Sequence, residues 1–236
     1  MAAADTRVTI HADDNYIFID GPMDDDAPMK EASTGRTIFF PYHYRKIRFI
    51  EPGWVAAAGS SDLSTKILDL LKEKCPTSHE ETISTIRENV SIMAQLAADE
   101  TGFELDEIYN TTIFVGQLKT PAQSVLLDAN LGIGEVQAGK LVINWPLDVS
   151  EEEKCKAQDA FLSSIISVKT IGGAIQAAAA LIGAASHATH CSSQAQIGLT
   201  LSISDSHTQS LYVDGNVVEI ANMTEDEIKQ RVKMAQ

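Results

Sequence analysis

The sequence is short of basic residues: 18 lysines and arginines stand against 33 aspartates and glutamates, which gives a formal net charge of −15 at pH 7. That balance repels polyanions, so nucleic acids and anionic membranes are not expected as partners. The chain also lacks an apolar run of about 18 residues, and its start lacks a charged segment followed by an apolar block. We therefore expect neither a membrane-spanning nor a secreted protein.

Cysteine is scarce as well, and the chain has no linker rich in proline, glycine or serine. The three cysteines, Cys75, Cys155 and Cys191, are an odd and widely spaced set. This favours reduced thiols in a cytoplasmic protein over a disulfide framework. With 236 residues and 44% hydrophobic content, the chain can bury one sizeable core. We expect a single domain over residues 1–236.

The most informative segment is a strand–turn–strand–helix between residues 45 and 74. A basic strand over 45–50 turns at 51–53 into a strand of small residues that ends at Gly59. Alanines at 56–58 suit a strand that is buried on both faces. A helix follows, and an apolar stripe marks its buried side. The stripe consists of Leu63, Ile67, Leu70 and Leu71.

Local signals predict the other elements in turn. Capping boxes, in which a serine or threonine precedes a glutamate by three residues, begin helices at Ser78, Ser150 and Thr224. Another helix follows Thr170, and Ser60 or Ser61 caps the helix after Gly59. The predicted strands, recognised by alternating or β-branched residues, are 7–11, 16–20, 109–116, 124–128, 135–145, 197–204 and 210–220, and residues 21–35 are predicted to form an exposed loop.

The order of these elements predicts an α+β fold. Strands come first, then two helices, strands, two helices, strands and a short helix. Runs of strands and runs of helices that each need covering indicate two helix layers outside two sheets, a four-layer αββα sandwich. The central sheets are expected to contain Val8, Ile10, Ile17, Ile19, Val55 and Ala57.

In the order of its predicted elements and in the segment 45–74, the chain resembles proteasome β-type subunits and their bacterial relatives. These are members of the N-terminal-nucleophile (Ntn) hydrolase superfamily. The resemblance implies the αββα fold and a ring of identical subunits. It also implies an unfoldase ATPase as a partner and, for an active enzyme, polypeptide substrates without a cofactor. One alternative stays open: Gly172 and Gly173 resemble the family's glycine turn before its third helix, and residues 150–167 would then be an insertion.

The resemblance also implies a set of site residues. Thr6 would be freed from a propeptide over 1–5, and its hydroxyl would be the nucleophile with its own α-amine as base. Lys46 matches the family lysine that stabilises the negative charge, and Asp20 or Asp5 would position it. Ser193 matches a serine that assists the amine.

Departures from the family pattern keep two function classes open. Asp5 precedes Thr6 where the family has glycine, and the first hairpin is shorter than the family's. With the hairpin turn held fixed, the nucleophile position falls on Asp5. His190 stands where the family has an aspartate. The chain is thus either a threonine peptidase or an inactive relative that keeps the fold and the ring for assembly.

A metal site is a separate question. His187, His190 and Cys191 have the spacing i, i+3 and i+4, which could place three ligands on one face of a helix. A polar helix end with satisfied hydrogen bonds is the alternative. We expect no metal.

Overall fold

The computed structural model describes residues 1–5, 8–12, 15–19, 29–30, 37–38, 46–50, 53–117, 123–127, 132–136, 141–145, 148–188, 191–204 and 207–234. These residues combine α-helices with antiparallel strand pairs, which confirms the α+β class. The four-layer sandwich stays a prediction. The chain divides into two compact units. The first contains Met1–Lys46, Trp145–Leu199 and Leu211–Met234, and the second contains Ile47–Asn144 and Thr200–Ser210. The single domain also stays a prediction.

The described elements follow in chain order. The strands are β1 (Ala2–Asp5), β2 (Val8–Ala12), β3 (Asn15–Ile19), β4 (Met29–Lys30), β5 (Thr37–Ile38), β6 (Ile47–Ile50), β7 (Gly53–Ala58), β8 (Thr112–Gln117), β9 (Gln123–Leu127), β10 (Ile133–Val136), β11 (Gln194–Ser204), β12 (His207–Asn216) and β13 (Lys233–Met234). The helices are α1 (Ser61–Lys74), α2 (His79–Thr101), α3 (Leu105–Tyr109), α4 (Glu151–Ser167), α5 (Ile171–Ala185), α6 (Val217–Asn222) and α7 (Glu225–Arg231).

The second unit contains a five-stranded sheet in the order β10-β9-β8-β7-β6, together with α1, α2 and α3. Its core consists of side chains from β7, β8 and the three helices. The predicted stripe of α1 is buried as expected, at Leu63, Ile67, Leu70 and Leu71. The predicted basic strand, small-residue strand and helix are therefore confirmed within the described residues.

Gly59 makes the tight transition from β7 to α1. Its φ of 106° lies in the region that favours glycine, and a Cβ there would collide with the carbonyl of Asn110. Ser60 follows as the N-cap, and its hydroxyl accepts a hydrogen bond from the Leu63 amide at 3.2 Å. The Ser60 amide donates to Thr111 Oγ1 at 2.9 Å. The predicted capping role of Ser60 is confirmed.

The first unit contains a sheet in the order β1-β11-β12-β13, with helices α4 to α7. Apolar side chains of α5, β11, β12, α6 and α7 form its core. The predicted first hairpin is present as β2 paired with β3, from Val8↔Ile19 to Ala12↔Asn15. Within the described residues these strands form a separate two-stranded sheet, so the prediction that they belong to the central sheets is not confirmed. Capping boxes begin α4 at Ser150 and α7 at Thr224, as predicted.

Four predictions are wrong in part. Tyr109 ends helix α3, so the strand predicted from 109 begins at Thr112. Residues 141–145, predicted as strand, have no regular structure. The strand predicted through 220 stops at Asn216, whose side chain caps α6 instead. Within the predicted loop 21–35, Met29–Lys30 pairs with Thr37–Ile38, and the remaining loop residues lie outside the described part.

None of the helices in the described part of the chain combines the length and apolarity that a bilayer crossing requires.

Candidate functional site around Lys46 and Asp5

Lys46 forms an ion pair with Asp5, at the end of the first strand. Its ammonium Nζ donates to Asp5 Oδ2 at 2.9 Å across a sequence separation of 41 residues. Both side chains are mostly shielded from solvent, with 21% of Lys46 and 18% of Asp5 exposed. Partial shielding weakens solvent screening, so this contact is stronger than a fully exposed pair. The lysine and the end of β1 are therefore held together.

Strand pairing fixes the position of Asp5. β1 runs antiparallel to β11, and Asp5 pairs with Ala195, which is completely buried. The first four residues after Met1 are three alanines and an aspartate, which have little intrinsic preference for a strand. The long partner strand β11 therefore determines the extended conformation of β1 and brings Asp5 to Lys46.

Ser193 lies just before β11, two residues from the partner of Asp5. Its carbonyl accepts a hydrogen bond from the Val217 amide at 2.8 Å. The neighbouring Ser192 is fully buried, and its hydroxyl donates to the Gln194 carbonyl at 3.0 Å. The described hydrogen bonds of Ser192 and Ser193 thus stabilise the turn into β11. The role of Ser193 in assisting the α-amine stays a prediction.

The structure brings together some of the predicted site residues. Lys46 and Asp5 are in contact, and Ser193 lies near the β11 residue that pairs with Asp5. Thr6 and Asp20, the predicted nucleophile and one of the two predicted lysine partners, lie outside the described residues. Of the two aspartates proposed to position Lys46, Asp5 is the one that the structure describes beside it.

The proposed metal ligands do not share a helix face. α5 ends at Ala185, so His187 lies beyond the helix, and His190 is outside the described residues. The His187 ring contacts Glu153, with Nε2 at 3.1 Å from Oε1. Hydrogen bonds from Ser150 hold the pKa of the Glu153 carboxyl below its usual value, and His187 adds to this effect. Cys191 is 4% exposed and packs into an apolar cluster.

No group of three histidine, cysteine, aspartate or glutamate side chains with metal-binding geometry occurs within the described ranges. The contact of His187 with Glu153 instead connects the residues just after α5 with the start of α4, both in the first unit. The premise of a shared helix face is therefore wrong, because the helix stops too early.

The chemistry available at the described site is that of a neutralised lysine. An ammonium can stabilise a developing negative charge only when that charge competes successfully with the counter-ion already present. Here the counter-ion is the carboxylate of Asp5. A nucleophile would need the same cation. Asp5 therefore already binds the ammonium group on which the predicted reaction depends.

Comparison with solved structures gives a likeness, whereas comparison with families and curated proteins does not. No protein-family model matches the chain, and no curated protein matches it. Among solved structures, the chain is similar to Anbu (ancestral beta-subunit) from Yersinia bercovieri. The two share 14% sequence identity with a TM-score of 0.48, over 99% of this chain and 81% of the Anbu chain. At these values the likeness does not establish a fold family.

Proposed function

We propose that the chain is a proteasome-like subunit that assembles with copies of itself, keeps residues 1–5 attached and hydrolyses no peptides. The observation that carries the proposal is the ion pair between Lys46 and Asp5 at 2.9 Å. The resemblance of the segment 45–74 and of the element order to proteasome β-type subunits supports the same assignment.

Two further features favour the inactive candidate. The register with the hairpin turn held fixed puts Asp5 at the nucleophile position, and an ionised carboxylate there accepts hydrogen bonds but has no hydroxyl to activate. With residues 1–5 attached, the nitrogen of Thr6 is also an amide and cannot accept a proton as a free amine can. Both features remove parts of the threonine mechanism.

The second candidate is a threonine peptidase, and the position of Asp5 favours it. Asp5 is bonded directly to Thr6, so cleavage of the bond between them would release the counter-ion of Lys46 and create the Thr6 α-amine together. That amine, with an ordinary pKa of about 7.7–8.0, would take the hydroxyl proton while the oxygen attacks a peptide carbonyl. Asp5 of the propeptide would then bind Lys46 until the propeptide is cleaved off.

Assembly is proposed on the resemblance alone. Closed rings form when a heterologous surface repeats and the rotation closes. A polypeptide substrate and an unfoldase ATPase belong to the second candidate, since an inactive ring needs neither.

A hydrolysis assay with a matched variant tests the proposal. The purified chain is incubated with an unfolded, fluorescently labelled protein beside Thr6→Ala, which keeps the fold but lacks the hydroxyl. We expect both to release no fluorescence above buffer, and sedimentation to give a multiple of the 25.5 kDa subunit. Hydrolysis that Thr6→Ala abolishes would establish the peptidase instead. A 25.5 kDa species at micromolar concentration would refute the assembly.

A further inference from the structure

The second unit contains a cleft whose polar groups have no described partner. It has a volume of about 340 Å³ and lies between α2, α3 and the start of β10. Its walls are formed by Arg87, Val90, Ser91, Tyr109, Gly132 and Ile133. This volume is at the small end of the range of ligand pockets, about 300–1,000 Å³.

Helical spacing puts the α2 residues of the cleft on one face. Arg87, Val90 and Ser91 are related as i, i+3 and i+4, so their side chains are neighbours. Val90 is 7% exposed and joins the core of the second unit, which anchors this face. Arg87 and Ser91 are exposed at the edge of that anchored surface.

The guanidinium of Arg87 lacks the acidic partner on its own helix that several lysines of the chain have. Lys154, Lys156 and Lys229 each pair with an acidic residue three or four positions earlier on the same helix. Arg87 has Ile83 and Ser84 at those positions, and none of the described residues that line the cleft is acidic. Within the described part of the chain, no hydrogen bond or ion pair engages the side chains of Arg87, Ser91 or Tyr109.

We propose that this cleft binds a small organic molecule that carries a carboxylate or a phosphate group. The planar guanidinium binds either oxyanion through two parallel hydrogen bonds, and the hydroxyls of Ser91 and Tyr109 add donors. Val90, Ile133 and the ring of Tyr109 form an apolar wall for the body of the ligand. A small ligand with a single anionic group meets less of the long-range repulsion that the net charge of −15 imposes on polyanions.

The mouth of the cleft at Gly132 has room for the remainder of such a ligand. A Cβ built on Gly132 meets no atom of the described residues within 4 Å. A leucine at this position is therefore expected to start without a backbone clash and to fill part of the mouth. Gly132→Leu thus removes space, whereas Arg87→Gln removes charge.

Calorimetric titration with phenyl phosphate and with benzoate tests the proposal. We expect saturable binding of at least one probe with a dissociation constant of about 1 mM or below. Benzyl alcohol, which lacks the anion, should not bind. Binding of phenyl phosphate alone would assign a phosphate ligand, and binding of benzoate alone a carboxylate ligand.

Variants locate that binding. Arg87→Gln should weaken it about tenfold or more, because a charged hydrogen-bonding group is lost. Gly132→Leu should weaken it by a similar factor. Lys72→Gln, which removes an exposed cation of α1 outside the cleft, should leave it within about twofold. Absence of binding by both probes, or binding that survives both Arg87→Gln and Gly132→Leu, would overturn the proposal.

Discussion

Lys46 Nζ lies 2.9 Å from Asp5 Oδ2, and the two residues come from distant parts of the sequence. Pairing of β1 with β11 holds the aspartate, and the entry into β6 holds the lysine. The residue before Thr6 therefore neutralises the cation that a threonine nucleophile would require.

A double-mutant cycle measures the ion pair. We expect Asp5→Ala, Lys46→Ala and the double variant to give a coupling free energy of unfolding of about 0.5–1 kcal/mol, because the pair is partly shielded. Urea unfolding at a single protein concentration provides the values. The same cycle at Asp226 and Lys229, a pair with 87% and 66% exposure, is the control. A coupling at Asp5 and Lys46 no larger than that of the control would contradict the contact.

Trp54 fills the space beside Gly116 on the neighbouring strand. A Cβ at Gly116 would collide with the indole, which is 8% exposed. We expect Gly116→Ala to lower the free energy of unfolding by about 1–3 kcal/mol and to shift the tryptophan emission, since the ring must move. Gly132→Ala, with open space at its Cβ, should change stability by less than about 0.5 kcal/mol. Equal stability of the two variants would disprove this packing.

The pH dependence of stability should report the cap of α7. The amide and hydroxyl of Thr224 bind Glu227 Oε2 at 2.7 Å each, and they lower the pKa of that carboxyl. A folded-state pKa below the unfolded value stabilises the fold above the unfolded pKa, and this contribution is lost as the pH falls through the folded pKa.

Thr224→Ala removes the hydroxyl bond and should raise the pKa of Glu227. The variant should therefore lose less stability than the wild type between about pH 6 and about pH 3, as followed by thermal unfolding. Ser167→Ala removes an exposed hydroxyl whose described bond goes to a backbone carbonyl, and it serves as the control. Identical pH profiles for Thr224→Ala and the wild type would refute the assigned cause.

Local signals explain what the sequence predicts well. Ser60, Ser150 and Thr224 determine helix starts through bonds to residues three positions ahead, so the relevant information is adjacent in the chain. The positive φ of Gly59 is a local requirement for glycine, whereas its close contact with Asn110, 51 residues later, adds a requirement that the local sequence does not show.

Competing or distant interactions explain the misses. Residues 217–220 have the composition of a strand, but Asn216 accepts bonds from the Val218 and Glu219 amides and starts a helix. β1 has an alanine-rich sequence, and β11 imposes its conformation through pairing. The partner of Lys46 was open between two aspartates, since a contact across 41 residues leaves no periodic pattern.

One feature of the cleft at Arg87 can be recognised in the sequence. Arg87 lacks the acidic residue three or four positions earlier that accompanies Lys154 and Lys156. That pattern indicates a helical cation without an acidic partner on the preceding turn. The other walls, Tyr109 and Gly132, come from separate elements, so the sequence alone does not indicate a cavity.

Intact-mass measurement of the purified protein decides whether residues 1–5 stay attached. We expect a mass that includes the Asp5–Thr6 bond, with or without Met1, and an unchanged mass after prolonged incubation at neutral pH. Asp5 then remains the partner of Lys46. A mass that begins at Thr6, together with hydrolysis of an unfolded protein that Lys46→Ala abolishes, would contradict it.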